Sequence, residues 1–298
     1  MTAEVTPPAA ASADRLLAKV LALKGRVDAV NVTDAAAARA AMSSLAAAVI
    51  LARNDIEPVF QLTCRSRNRI AIASDLMGAA ALDVRNVLVL RGDDPTTGDQ
   101  PEARAVDDLD SCGVIAMARR MRDDGTLPSG RVIDPPPRLF IGAAATPTDP
   151  GEDEDWLPPE LVAKLAAGAG FVQTQFCFDI GIARRYMARL TDAGLSERAS
   201  ILMGVGPIAS GRSARWMRDN LPGVQIPDAI VERLERASDP AAEGRKVCIE
   251  LIQALREVAG VAGVHIMAPR QSADAMVSVI EDSGILNGRP VPGPRPAN

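Results

Sequence analysis

Arg91, Gly92, Asp93, Asp94 and Pro95 stand directly behind the apolar run Asn86 to Leu90. A short run of valines and leucines without polar alternation predicts a strand covered on both faces, and Gly92 lets the backbone turn sharply beside Arg91 and Asp93. Charges gathered at a strand's end predict a site; the plainer reading is an Arg–Asp pair that closes a loop. Glu4 lies in Glu-Val-Thr-Pro-Pro, where the prolines end the strand. A carboxyl buried there would have its pKa raised and stay protonated as a general acid, whereas the plainer reading is a solvated glutamate beside a frayed terminus. In Phe-Val-Gln-Thr-Gln-Phe-Cys, alternation predicts Gln173, Gln175 and Cys177 on one face, with an amide that needs hydrogen-bond partners such as the edge of a ligand. His265 reads equally as a packed imidazole or a site residue, and Lys164 as a solvated residue on a helix flank.

The function classes are narrowed by composition. Cys64, Cys112, Cys177 and Cys248 lie far apart and the chain holds one histidine, so metal-ligand spacing, a disulfide scaffold and a catalytic triad away from His265 are not expected. A net charge of -5 and 3% aromatic residues argue against nucleic acid as a partner. No apolar stretch reaches the ~20 residues of a membrane helix, and no leader pattern opens the chain. A cytoplasmic protein with four reduced thiols and no metal is the expectation. A Schiff-base lyase using Lys164 is disfavoured by the lysine's place on a helix.

The elements that position these residues alternate along the chain. Strands are predicted at Ala3–Thr6, Val27–Val32, Ile56–Leu62, Val87–Leu90, Leu139–Ala144, Gly170–Phe176, Ser200–Val205 and Gly263–Met267. Helical segments lie between them at Asp14–Leu23, Ala35–Arg53, Arg69–Ala81, Asp110–Asp123, Pro159–Ala167, Ile182–Ala193 and Ala241–Val258. Asp14, Asp34 and Asp110 suit N-caps, and Gly25, Gly194 and Gly260 suit the position just past a helix. Eight βα units without a Gly-rich first turn predict an α/β fold, a single (β/α)8 TIM barrel over 1–287. An incomplete barrel or an open sheet is the alternative. The Pro-rich tail 288–298 is expected to be extended or disordered. Barrel chemistry sits at strand C-termini. That rule gathers Glu4, Thr33 with Asp34, Gln61 with Thr63 and Arg65, Arg91 with Asp93, Thr146, Gln175 with Asp179, and His265. Gly204, Gly206 and Gly211 offer a weak phosphate-binding signal.

Taken in order, EVTPP at Glu4, VDAVNVTD at Val27, QLTCRSRN at Gln61, NVLVLRGDDP at Asn86, AGAGFVQTQFCFD at Ala167, MGVGPI at Met203 and VHIMAP at Val264 resemble the methylenetetrahydrofolate reductase family. The likeness leans to its short, catalytic-domain-only branch. It implies a flavoprotein barrel, FAD or FMN at the strand C-termini, reducing 5,10-methylenetetrahydrofolate to 5-methyltetrahydrofolate in one-carbon metabolism and methionine biosynthesis. NADH, NADPH or a partner subunit would supply electrons, and a homo-oligomer is compatible with it. Residue by residue, Glu4 matches the general acid, and Asp93 a carboxylate lying between flavin and pterin. Thr33, Gln61, Arg91, Thr146 and Lys164 match flavin positions, Lys164 near the phosphates, and Gln175 the amide that contacts folate. The chain departs from the better-known branch at Gln61, where that branch has histidine. It departs again at Thr146, where strand five ends without tyrosine and histidine, and at Leu157, an acidic position there. These departures keep a second class open: a non-redox folate-binding component of a methyl-transfer assembly.

Overall fold

A computed structural model describes residues 1–153 and 155–287, so the predicted tail 288–298 lies outside the described residues. The strands are β1 (Thr2–Val5), β2 (Ala29–Val32), β3 (Pro58–Thr63), β4 (Asn86–Leu90), β5 (Phe140–Ala145), β6 (Phe171–Phe176), β7 (Ser200–Val205) and β8 (Val261–Ile266). They pair in parallel in sequence order and close into a barrel. The short first strand completes it, pairing with β2 along its length and with β8 through Thr2–His265 and Ala3–Ile266. The open-sheet alternative is thereby ruled out.

Eleven α-helices flank the barrel among the described residues. They are α1 (Ala13–Val20), α2 (Ser44–Ala52), α3 (Arg69–Ala81), α4 (Ser111–Asp123), α5 (Pro159–Ala167), α6 (Ile180–Asp192), α7 (Leu195–Arg198), α8 (Gly211–Asn220), α9 (Asp228–Arg236), α10 (Pro240–Leu255) and α11 (Ala273–Asp282). None is long and apolar enough to cross a membrane. Asp110 caps α4 as expected, its Oδ1 accepting from Gly113 N–H at 2.7 Å. Gly25, Gly194 and Gly260 all take positive φ after helical turns.

Two predicted caps are replaced. Ser12 caps α1 in place of Asp14, and Asp34 sits inside the β2–α2 connection, bonded to β3. The helix predicted over Ala35–Arg53 begins only at Ser44, behind the Ser43 cap. Before it, Ala35, Ala37 and Ala38 adopt left-handed backbone at φ 50–55°, a conformation that costs an alanine about 1 kcal/mol. Contacts outweigh helix propensity there: Ala37 N–H donates to Asp93, Ala40 N–H to Asp99 and Met42 N–H to the Pro8 carbonyl.

The main core lies between sheet and helices, while a separate small cluster of Ala29, Val59, Leu88 and Phe171 fills the barrel interior. Gly142 makes that filling possible, since a Cβ there would stand 2.2 Å from the Phe171 ring. Above this apolar plug the interior turns polar.

Candidate active site

The polar layer is built by alternation: Thr2 and Glu4 on β1, Asn31 on β2, Gln61 on β3, Gln173 on β6 and His265 on β8 all point inward. Asn31, Gln61, Gln173 and His265 are buried. Gln61 Nε2 donates to Glu4 Oε2 at 2.7 Å, and His265 Nε2 lies 3.6 Å from the same oxygen. On its other side His265 Nδ1 meets Thr2 Oγ1 at 2.8 Å. Gln173 Nε2 donates to Thr2 Oγ1 at 2.9 Å and to Asn31 Oδ1 at 3.0 Å, while Asn31 Nδ2 returns a bond to Gln173 Oε1 at 2.6 Å.

Burial pushes the Glu4 carboxyl up, as the sequence suggested, but contact with His265 and the Gln61 amide outweighs it, and the net displacement is downward. The expectation of a raised pKa is therefore corrected: without ligand, Glu4 is held ionised. Its side chain is still 26% exposed.

Glu4 lies at one wall of a cavity of about 870 Å³ at the C-terminal mouth, within the range of small-molecule sites. Gln61, Arg91, Thr146, Lys164, Gln175 and His265 line it too. Lys164 departs from the solvated-flank expectation: only 12% of its side chain is exposed, and its Nζ donates to the Ala144 carbonyl at 3.0 Å. A register shift after Gln173 breaks the alternation of β6, so Cys177 packs into the outer core rather than sharing the glutamines' face.

Thr33 and Asp93 are not in the cavity lining. Thr33 Oγ1 is buried without a hydrogen-bond partner among the described residues. Asp93 is exposed, and its Oδ2 accepts from Ala37 N–H at 2.7 Å. Beside them runs a network that composition does not announce. Arg67 forks onto Asp34 at 2.6 and 3.2 Å and reaches Asp75 at 3.0 Å, while Asp34 also accepts from the Thr63 N–H and hydroxyl. Burial raises the Asp34 carboxyl, and the Arg67 guanidinium with Thr63 carries it below the usual aspartate range.

The glycine-rich β7 end offers no phosphate cradle. A Cβ on Gly204 would sit 2.3 Å from the Thr174 carbonyl, on Gly206 1.9 Å from that of Met267, and on Gly211 2.5 Å from Glu235. Close backbone and helix packing accounts for all three.

Tested against a flavin, the mouth suits the ring and not the phosphates. Gln61, Arg91, Thr146 and Gln175 surround enough volume for a planar heterocycle. On the cavity's other side Asp107, Asp110 and Glu160 face Lys164, whose amine is already engaged by Ala144 and lies 3.6 Å from Glu160. The N-terminus of α4, which would attract an anion, is capped by the Asp110 carboxylate.

The family model described as "Methylenetetrahydrofolate reductase" matches residues 1–284. A probable methylenetetrahydrofolate reductase (NADPH) of Caenorhabditis elegans is 26% identical over 232 residues, 75% of this chain and 32% of that protein. Methylenetetrahydrofolate reductase 2 of Schizosaccharomyces pombe is 25% identical over 225 residues, 73% of this chain and 33% of the other. The chain thus spans about a third of the length of these curated relatives. Among solved structures, an uncharacterized Clostridium thermocellum protein that binds two copies of 5-methyl-5,6,7,8-tetrahydrofolic acid is similar with TM-score 0.63 and 13% identity, covering 94% of this chain and 93% of that one. EDTA monooxygenase from Chelativorans sp. BNC1 has TM-score 0.58 and 12% identity, covering 98% and 95%. At such identities the two structures show a shared fold alone. The family match runs over nearly the whole barrel and includes every polar residue of its inner layer, so the chain belongs to the methylenetetrahydrofolate reductase family.

Proposed function

We propose that this protein reduces 5,10-methylenetetrahydrofolate to 5-methyltetrahydrofolate at the barrel mouth, with electrons from NADH, NADPH or a partner subunit. The observation that carries this reading is the Glu4 carboxyl, the one acid of the inner layer, held between Gln61 and His265 at the wall of a ligand-sized cavity. Family membership supports it. So does the methyltetrahydrofolate bound by the Clostridium thermocellum protein of the same fold.

Glu4 would deliver a proton to the folate nitrogen, so that the methylene bridge opens to an iminium able to accept hydride. A pterin seated over Glu4 covers the part of the side chain now exposed. That strengthens burial, the cause already pushing the carboxyl up, and weakens its hold on the ionised form. The carboxyl would take that proton from solvent through the open mouth before the pterin closes over it, with His265 Nε2 flanking it at 3.6 Å. Gln175 would hold the pterin edge, and Gln61, Arg91, Thr146 and, beside the cavity, Asp93 and Thr33 would orient the reacting rings. A flavin, FAD or FMN, would supply hydride there when bound. The protein would act in the cytoplasm, in one-carbon metabolism.

A second reading, a non-redox folate-binding component of a methyl-transfer assembly, is favoured by the acidic side of the cavity and the engaged Lys164. One preparation separates the two. Reductase activity with a flavin absorbance band, and a fall of about 10²–10⁴-fold in turnover for Glu4→Gln with folate binding retained, supports the first. Colourless protein that binds methyltetrahydrofolate and reduces nothing with any donor supports the second and overturns the first.

A further inference from the structure

Asn31 and Gln173 form a reciprocal amide pair inside the barrel, 0% and 3% exposed, on strands β2 and β6 across the interior from each other. Neither hydrogen-bonds Glu4, although Asn31 sits beside it in the β1–β2 register. We propose that this pair is a positioning device that acts through Thr2 to fix the tautomer of His265, keeping the imidazole proton on Nε2, beside Glu4. The proposal deepens the reductase reading for its catalytic meaning, although its physical claim concerns the histidine alone.

The argument runs along the hydrogen bonds. Both hydrogens of Gln173 Nε2 are committed, one to Asn31 Oδ1 and one to Thr2 Oγ1, and Gln173 Oε1 accepts from Asn31 Nδ2. The two-way bond couples the two amides so that neither turns without the other, and in this orientation the pair presents a donor to Thr2. Thr2 Oγ1, already accepting from Gln173, has its own hydrogen left to give, and the neighbour in reach is His265 Nδ1 at 2.8 Å. An Nδ1 that accepts is unprotonated in the neutral ring, which puts the proton on Nε2. The far end of the relay demands the same: Nε2 stands 3.6 Å from a Glu4 oxygen, and an unprotonated nitrogen there would set lone pair against carboxylate. Two independent ends agree. A buried amide pair specifies this better than a single hydroxyl, because Thr2 alone can turn its hydrogen either way, whereas the coupled amides present an acceptor only if both turn together.

The chain holds a single histidine, so nitrogen NMR of uniformly labelled full-length protein reads this ring without assignment. The wild type is expected to show one neutral tautomer, with Nε2 protonated and Nδ1 in the unprotonated shift range. Gln173→Met, near in volume and without donors, is expected to leave Thr2 free to turn and to give a mixture of both tautomers. Gln173→Glu places an acceptor on Thr2, draws the hydroxyl hydrogen away from His265, and is expected to move the proton to Nδ1. A wild-type ring protonated on Nδ1, or spectra unchanged in both variants that fold, overturns the proposal. The spectrum needs no turnover, so its failure is distinct from that of the function: active enzyme with unchanged spectra in both variants sinks only the positioning role, and the expected spectra in protein that reduces no folate sink only the reductase.

Discussion

At the scale of single residues, the legible ones were those whose neighbours in sequence betrayed them. Glu4 before two prolines and Arg91 behind an apolar run stood out because local chemistry conflicted with local structure. The partners of Gln173 lie 142 and 171 positions away, so nothing nearby marked its role beyond an unexplained amide. Asp34 reads as a helix cap for the same reason: its partner, Arg67, arrives from the next βα unit. Because Asp34 is held below the usual aspartate range, its contribution to stability is complete above that range and is lost as pH falls through the folded-state value. Asp34→Asn leaves the Arg67 charge poorly compensated and is expected to cost about 3 kcal/mol at neutral pH by urea unfolding. The gap to wild type should begin to narrow below about pH 4, where the carboxylate of the unfolded chain protonates, and close as pH falls through the lower folded-state value. A variant as stable as wild type at pH 7 would show that this ion pair does not support the β2–α2 connection.

Among the elements, strands and helices were readable wherever hydrophobic period and capping agreed, as at α3, whose bounds Arg69–Ala81 match the prediction, and at β7. The failures came where a loop borrowed its hydrogen bonds from elsewhere, as in the left-handed alanines before α2. Glycines were the other ambiguity, since a ligand cradle and a close strand approach demand the same absent side chain. Gly206→Ala distinguishes them. Its Cβ would lie 1.9 Å from the Met267 carbonyl in a strand pair held from Met203–Val264 to Val205–Ile266, so overpacking is expected to cost at least ~2 kcal/mol in thermal or urea unfolding. A variant of unchanged stability that loses affinity for a phosphate-bearing ligand would restore the cradle reading.

For the whole molecule, closure of the barrel depends on four residues, Thr2–Val5, that join β2 to β8. Removing residues 1–6 is expected to leave two unpaired parallel edges and an uncovered interior, and circular dichroism with gel filtration should find unfolded or aggregated protein. A truncated chain that stays folded and monomeric would mean the barrel tolerates an open seam. The sequence by itself determined the order of βα units, the end of the barrel that carries polar residues and the family likeness, because period, breakers and motifs are local properties. Only the tertiary structure decided that Glu4 is held ionised, that Lys164 is engaged by backbone, and that Thr2, Asn31, Gln173 and His265 form one network. Charge state and hydrogen-bond partnership depend on which groups meet across the barrel, and that distance is not written along the chain.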